Sequence, residues 1–114
     1  MGETGAKYGL TPSEGIIQKQ VVAYLRLRGF LVFEFAKGGT HRALRGSVPD
    51  GWPDVLAIKP PIGEHWYIEV KAASGRVTQV QRDMHEALRH CGCHVWVVRS
   101  LEDVQEIMGH EDNR

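Results

Sequence analysis

The sequence predicts a mixed α/β domain in the order α-β-β-β-α-β with a short C-terminal helix, the mixed sheet flanked by helices. Three observations predict it. Two helix-start signatures are each followed by an apolar stripe at helical spacing. Short β-branched and aromatic runs separate them. Glycine or proline punctuates nearly every junction. The chain has 114 residues, the size of one domain. Hydrophobic residues make up 42% and charged residues 25%, a composition that folds instead of remaining disordered. No apolar run approaches the roughly 18 residues of a membrane span. Met1 to Leu10 lacks the apolar segment of a secretory signal, which points to a cytoplasmic protein. Cys91 and Cys93 lie too close for an unstrained bridge and are expected as reduced thiols.

Residues 1–10, polar and Gly-rich, read as a loose N-terminal tail. Residues 11–108 read as a single domain and 109–114 as a frayed C-terminus. In the first helix, 12–28, Thr11 is placed to cap, Pro12 suits the first helical position and Glu14 completes a capping box. Ile17, Val21, Tyr24 and Leu25 follow at helical spacing, and Gly29 ends the helix. Residues 30–36 are a strand by aromatic and β-branched content. Residues 37–51 carry four glycines and read as a long loop, a length that in compact domains is usually functional or disordered. Residues 53–59 and 65–72 make two further strands around a turn centred near Ile62, an antiparallel hairpin. Their nearly continuous apolar character implies a sheet covered on both faces. Thr78 and Gln81 form a second capping-box pattern. Val80, Met84, Ala87, Leu88 and Cys91 give the next helix an apolar face that ends at Gly92. Residues 93–98 are the fourth strand and 101–108 the last helix.

The chemistry concentrates in the hairpin. Alternate residues of a strand share a face, so Glu69 and Lys71 point one way and Val70 the other. The turn brings Asp54 near residues 69–71. If Asp54 lies opposite 69 or 71, all three polar groups share a face; the spacing leaves that register open. Carboxylates facing into an apolar sheet are costly unless paired or bound to metal. Two carboxylates suit a hard cation such as Mg²⁺, which takes oxygen ligands and keeps several waters. The Val70 carbonyl lies between them as a further candidate ligand. A cation there can generate hydroxide and neutralise charge on a phosphoryl oxygen. Lys71 is placed to orient or deprotonate water, or to stabilise developing negative charge.

Pro53-Asp54 followed by Glu69-Val70-Lys71 resembles the PD-(D/E)XK nuclease signature, and the element order resembles that superfamily's restriction-endonuclease-like core. More closely, 51–54 (GWPD), 67–72 (YIEVKA), 75–81 (GRVTQVQ) and 97–100 (VVRS) resemble the virus-type replication-repair nuclease (VRR-Nuc) family, with Glu14 also matching. The likeness spans roughly residues 13–104. It departs at Trp52, where the family often has a smaller residue. The resemblance implies a metal-dependent DNA endonuclease with Asp54 and Glu69 holding Mg²⁺ or Mn²⁺, Lys71 serving catalysis, and Gln81 and Glu14 completing the site. Glu14 is also a possible metal ligand. For stand-alone members, in phage or bacterial cells, it implies a homodimer acting on branched DNA such as four-way junctions. The rivals are a non-catalytic DNA-binding module that keeps the nuclease fold and a restriction-type nuclease acting on linear duplex.

Several of these residues have plain structural explanations. Glu14 and Gln81 each sit in a capping box. Glu69 and Lys71 could be a same-face ion pair. His90, Cys91, Cys93 and His94 are too tightly spaced for the usual zinc patterns, and His41, His65, His85 and His110 read as surface residues. Formal net charge is zero, which excludes a protein that binds nucleic acid by bulk charge, but the charge is uneven. Residues 15–50 carry six Lys/Arg against two acids, and residues 101–114 carry five acids against Arg114. Lys37, Arg42 and Arg45, with Arg76 before the second helix, are the candidate phosphate contacts. Trp52 and Trp66 are aromatic candidates for base stacking, Trp66 with the stronger expectation of burial.

Overall fold

The computed structural model describes residues 11–35 and 48–112. Its elements are α1 (Glu14–Leu27), β1 (Leu31–Glu34), β2 (Val55–Lys59), β3 (Glu64–Val70), α2 (Gln79–His90), β4 (His94–Val98) and α3 (Leu101–Asp112). The element order is the one the sequence predicts. The four strands lie side by side in chain order, β1-β2-β3-β4. The first three pair antiparallel and β4 runs parallel to β3. A short turn suffices between β2 and β3, where Gly63 at φ 91° donates its N–H to the Lys59 carbonyl. The parallel β3–β4 pair needs a crossover, and α2 supplies it.

The sheet has a core on each face. On one, Val32, Val55, Ala57, Trp66, Ile68, Val70 and Val98 meet Ile17, Val21, Val22 and Leu25 of α1 and Val104 and Met108 of α3. Each such aliphatic side chain contributes about 1.5–3 kcal/mol by leaving water. On the other, Tyr67 and Val95 meet Leu88 of α2, with Phe35, Trp52, Leu56, Met84 and Cys93 packed around them. Phe35, Trp52 and Tyr67 form a T-shaped chain with ring centroids 5.8 and 5.2 Å apart. Trp52 is therefore packed, not displayed for stacking, and Trp66 is buried at 1% exposure.

Three local expectations change. α1 is capped by Ser13, whose hydroxyl accepts the Ile16 N–H at 3.2 Å, so Glu14 is the first residue of the helix and not the third member of a Thr11 box. α2 does carry its capping box, but its inward face is rotated from the apolar stripe. Val80 is 53% exposed, and Ala87 and Cys91 are exposed too, while His85 and Leu88 are buried. α3 runs on to Asp112, past Met108, because Met108 is buried in the core and anchors a further turn. Both cysteines are free. Burial, and then Cys91 nearby, raise the Cys93 thiol pKa.

Candidate active site

The site grows from the hairpin register. Val55 pairs with Ile68 and Lys59 with Glu64. The paired register ends at Val55 and Ile68, and the Asp54 N–H donates to the Ile68 carbonyl at 3.1 Å, one residue out of step with that ladder, as at a β-bulge. Glu69 faces the side that α2 covers, since Tyr67, two residues before it, belongs to that core.

Asp54 is half-buried just before β2. Its Oδ2 accepts the Val70 N–H at 2.7 Å, which holds the carboxylate across the end of β3. Glu69 is 2% exposed and Lys71 8% exposed. The Lys71 N–H donates to the Val98 carbonyl at 3.0 Å, so β4 fixes the backbone from which the lysine projects. The segment that follows is braced by Arg99, whose Nη1 donates to the carbonyls of Ala72 at 2.8 Å and Gly75 at 2.6 Å. Arg99 is itself tied down, its N–H donating to Asp103 Oδ2 at 2.7 Å.

The Glu69 carboxylate is gripped by α2. Gln81 Nε2 donates to Oε2 at 3.2 Å, and His85 Nε2 lies 3.1 Å from Oε1. The ionised carboxylate only accepts, and with Glu69 in that form the His85 Nε2 carries the hydrogen. His85, expected at the surface, is 2% exposed. It is the site residue that sequence reasoning missed. The available signal was its place four residues after Gln81, one helical turn along the same stripe.

Gln81 serves the cap and the site together. Its Oε1 accepts the Thr78 N–H at 3.0 Å while its Nε2 reaches Glu69. Glu14 lies at the turn after Lys71, its Oε2 close enough to Gly75 that a Cβ there would sit 3.4 Å away. Among the described residues, no group of three His, Cys, Asp or Glu is placed to hold a metal ion by itself. Glu14 therefore does not join Asp54 and Glu69 in such a group. Arg76 is exposed between Lys71 and α2. Lys37, Arg42 and Arg45 lie outside the described residues.

One solved structure titled "VRR_NUC domain" superposes with a TM-score of 0.69 at 29% identity, covering 87% of this chain and 98% of that one. The chain has the VRR_NUC domain fold. A second, titled "VRR_NUC domain protein", matches at a TM-score of 0.66 and 18% identity over 87% of each chain. No protein-family model and no curated protein matches the sequence. The VRR_NUC likeness is consistent with the PD-(D/E)XK superfamily and supports a nuclease-like function, acting on nucleic acid, in general terms. No helix among the described residues is long and apolar enough to cross a membrane.

Proposed function

We propose that the protein is a divalent-metal-dependent DNA endonuclease. The observation that carries this reading is Glu69, a carboxylate at 2% exposure two residues from the buried Lys71, with the Asp54 carboxylate held beside it by the N–H of the next residue, Val70. A buried acid beside a second acid is unfavourable unless cations balance it. Hard oxygen donors on adjoining strands fit Mg²⁺ or Mn²⁺, with the Val70 carbonyl as a further ligand and water filling the remaining positions. Such an ion supplies a Lewis acid for the phosphodiester and lowers the pKa of a bound water. The protein's own part is positional. The Val70 N–H aims Asp54, α2 aims Glu69, and β4 with Arg99 holds the backbone on either side of Lys71. Lys71 then orients the attacking water or meets the charge that develops on the phosphate. Glu14, at the turn beyond Lys71, orients water at the rim. Arg76, Lys37, Arg42 and Arg45 contact phosphates on either side of the scissile bond.

Within that reading we assign branched DNA, such as four-way junctions, as the preferred substrate and a homodimer as the working form. Two-fold symmetry presents two sites to a junction's paired strands.

The test is nicking of supercoiled plasmid with Mg²⁺, with Mn²⁺ and with chelator, for wild type, Asp54→Ala and Lys71→Ala. Cleavage that needs metal and is lost in both variants is expected. Equal cleavage by wild type and variants, or DNA binding without cleavage under any metal, would replace the enzyme with a binding module. Matched junction and linear duplexes, with mass measured in solution, then decide substrate and assembly.

A further inference from the structure

We infer that His85 is a positioning residue for the metal-binding carboxylate. Together with Gln81, it locks Glu69 into the orientation that a divalent cation requires. The inference deepens the proposed function and rests on Glu69 being a metal ligand.

The two Oε atoms of Glu69 are held separately, Oε2 by Gln81 and Oε1 by His85. Both donors come from α2 and stand four residues apart. Such residues lie one above the other on a helix face. The phase of α2 is fixed at its first turn. The Gln81 N–H donates to Thr78 Oγ1 at 3.1 Å, and the Thr78 N–H returns a bond to Gln81 Oε1. This fixes which residues of α2 turn inward and brings His85 onto the carboxylate. The neighbours on this stripe are Met84 and Leu88, which pack with Tyr67 and Val95.

Packing alone does not account for a histidine here. An aliphatic side chain would fill the same space without burying an imidazole and without needing a polar partner. The imidazole does what an aliphatic residue cannot, donating a directed N–H to one oxygen of a buried acid. A glutamate has three side-chain torsions, and one bond to one oxygen leaves the carboxylate plane free to rotate. Two donors on the two oxygens define the plane. A carboxylate oxygen can accept twice, so one donor on each does not by itself keep a cation from Glu69. Partners that orient metal ligands in this way are typically worth about 10–100-fold in metal affinity.

The experiment measures Mn²⁺ binding to the full chain without DNA, by titration calorimetry and by the electron paramagnetic resonance signal of free Mn²⁺. The proteins are wild type, His85→Leu, His85→Gln, His85→Asn and Asp54→Asn, each checked by thermal melting. Leucine fills the volume without a donor. Glutamine returns an N–H at about the reach of Nε2, and asparagine is one methylene shorter. His85→Leu should weaken Mn²⁺ binding about tenfold or more. Its plasmid nicking should be low at limiting Mn²⁺ and recover towards wild type at saturating Mn²⁺. His85→Gln should restore most of the affinity and His85→Asn much less. If His85→Leu does not fold, the contrast between glutamine and asparagine carries the test. Mn²⁺ affinity unchanged in the leucine variant, or glutamine no better than asparagine, overturns the role of His85. If Asp54→Asn weakens Mn²⁺ binding in the same experiment, the metal reading survives that result. Absence of Mn²⁺ binding in wild type overturns both.

Discussion

Asp54 does two jobs that separate substitutions can distinguish. Its Oδ2 accepts the Val70 N–H, and its charge is what a cation would meet. Asp54→Asn keeps an acceptor and removes the charge. Its unfolding free energy should stay within about 0.5 kcal/mol of wild type, while metal-dependent nicking falls at least about a hundredfold. Asp54→Ala abolishes nicking as well, and it strands the Val70 N–H at a cost of about 1–3 kcal/mol, read as a lower denaturant midpoint. Gln81 is the complementary case, one amide whose oxygen caps a helix and whose nitrogen holds Glu69. Gln81→Glu preserves the cap acceptor but faces a buried carboxylate with a second one. Nicking should drop at least about tenfold, with a lower melting temperature even though the capping box survives. That Asp54 would come close to the end of β3 was legible because the turn at Gly63 is short. His85 was not, because an isolated histidine amid Val80, Met84, Ala87 and Leu88 reads as polar surface. The periodicity favoured an apolar stripe of which Met84 and Leu88 do meet the sheet, while Val80, Ala87 and Cys91 turn outward.

The elements hold these side chains through their ends more than through their middles. α1 begins at Ser13, and this shift relative to a Thr11 cap explains how Glu14 comes to lie at the Gly75 turn. As the first helical residue, it is not committed to closing a box. The T-P-S-E run contains two valid start signals, and local chemistry does not choose between them; the burial of Ile17, Val21 and Leu25 under the sheet does. Ser13→Ala should therefore cost about 1 kcal/mol and Thr11→Ala almost nothing, as measured by denaturant unfolding. The loop entering β2 depends on Gly51. It sits at φ 81°, and a Cβ there would lie 2.5 Å from the Val80 carbonyl, so the loop passes directly against the first turn of α2. Gly51→Ala has to move either the loop that delivers Pro53 and Asp54 or the helix that delivers Gln81 and His85. It should lower stability by about 2 kcal/mol or more and depress nicking beyond what unfolding explains, which a thermal melt beside a nicking assay at low temperature separates.

In the whole molecule, the sheet divides charge from chemistry. α1, with Lys19, Arg26 and Arg28, and α3, with Glu102, Asp103 and Glu106, pack on the same face and against each other. Among the described residues, the cations of the N-terminal part and the acids of the C-terminal part thus stand on neighbouring helices. Glu69 lies under α2 on the other face, and the exposed cations of α2 and the segment before it are Arg76, Arg82 and Arg89. On the proposed reading, Lys37, Arg42 and Arg45, between β1 and Val48 in the sequence, add to these as phosphate contacts. Each phosphate contact that releases a counterion contributes about 0.9 to the slope of log affinity against log salt. Replacing all three with alanine should flatten that slope by nearly 3 and weaken binding to every DNA structure by a similar factor, because phosphate contacts carry no sequence information. Asp54→Asn, which removes a negative charge without touching these cations, should leave the slope unchanged while abolishing cleavage. Fluorescence anisotropy with labelled junction and duplex between 50 and 200 mM salt reads both variants. A triple variant with the wild-type slope would remove these three residues from the DNA contact and leave other cations, such as the exposed Arg76, Arg82 and Arg89, to account for binding.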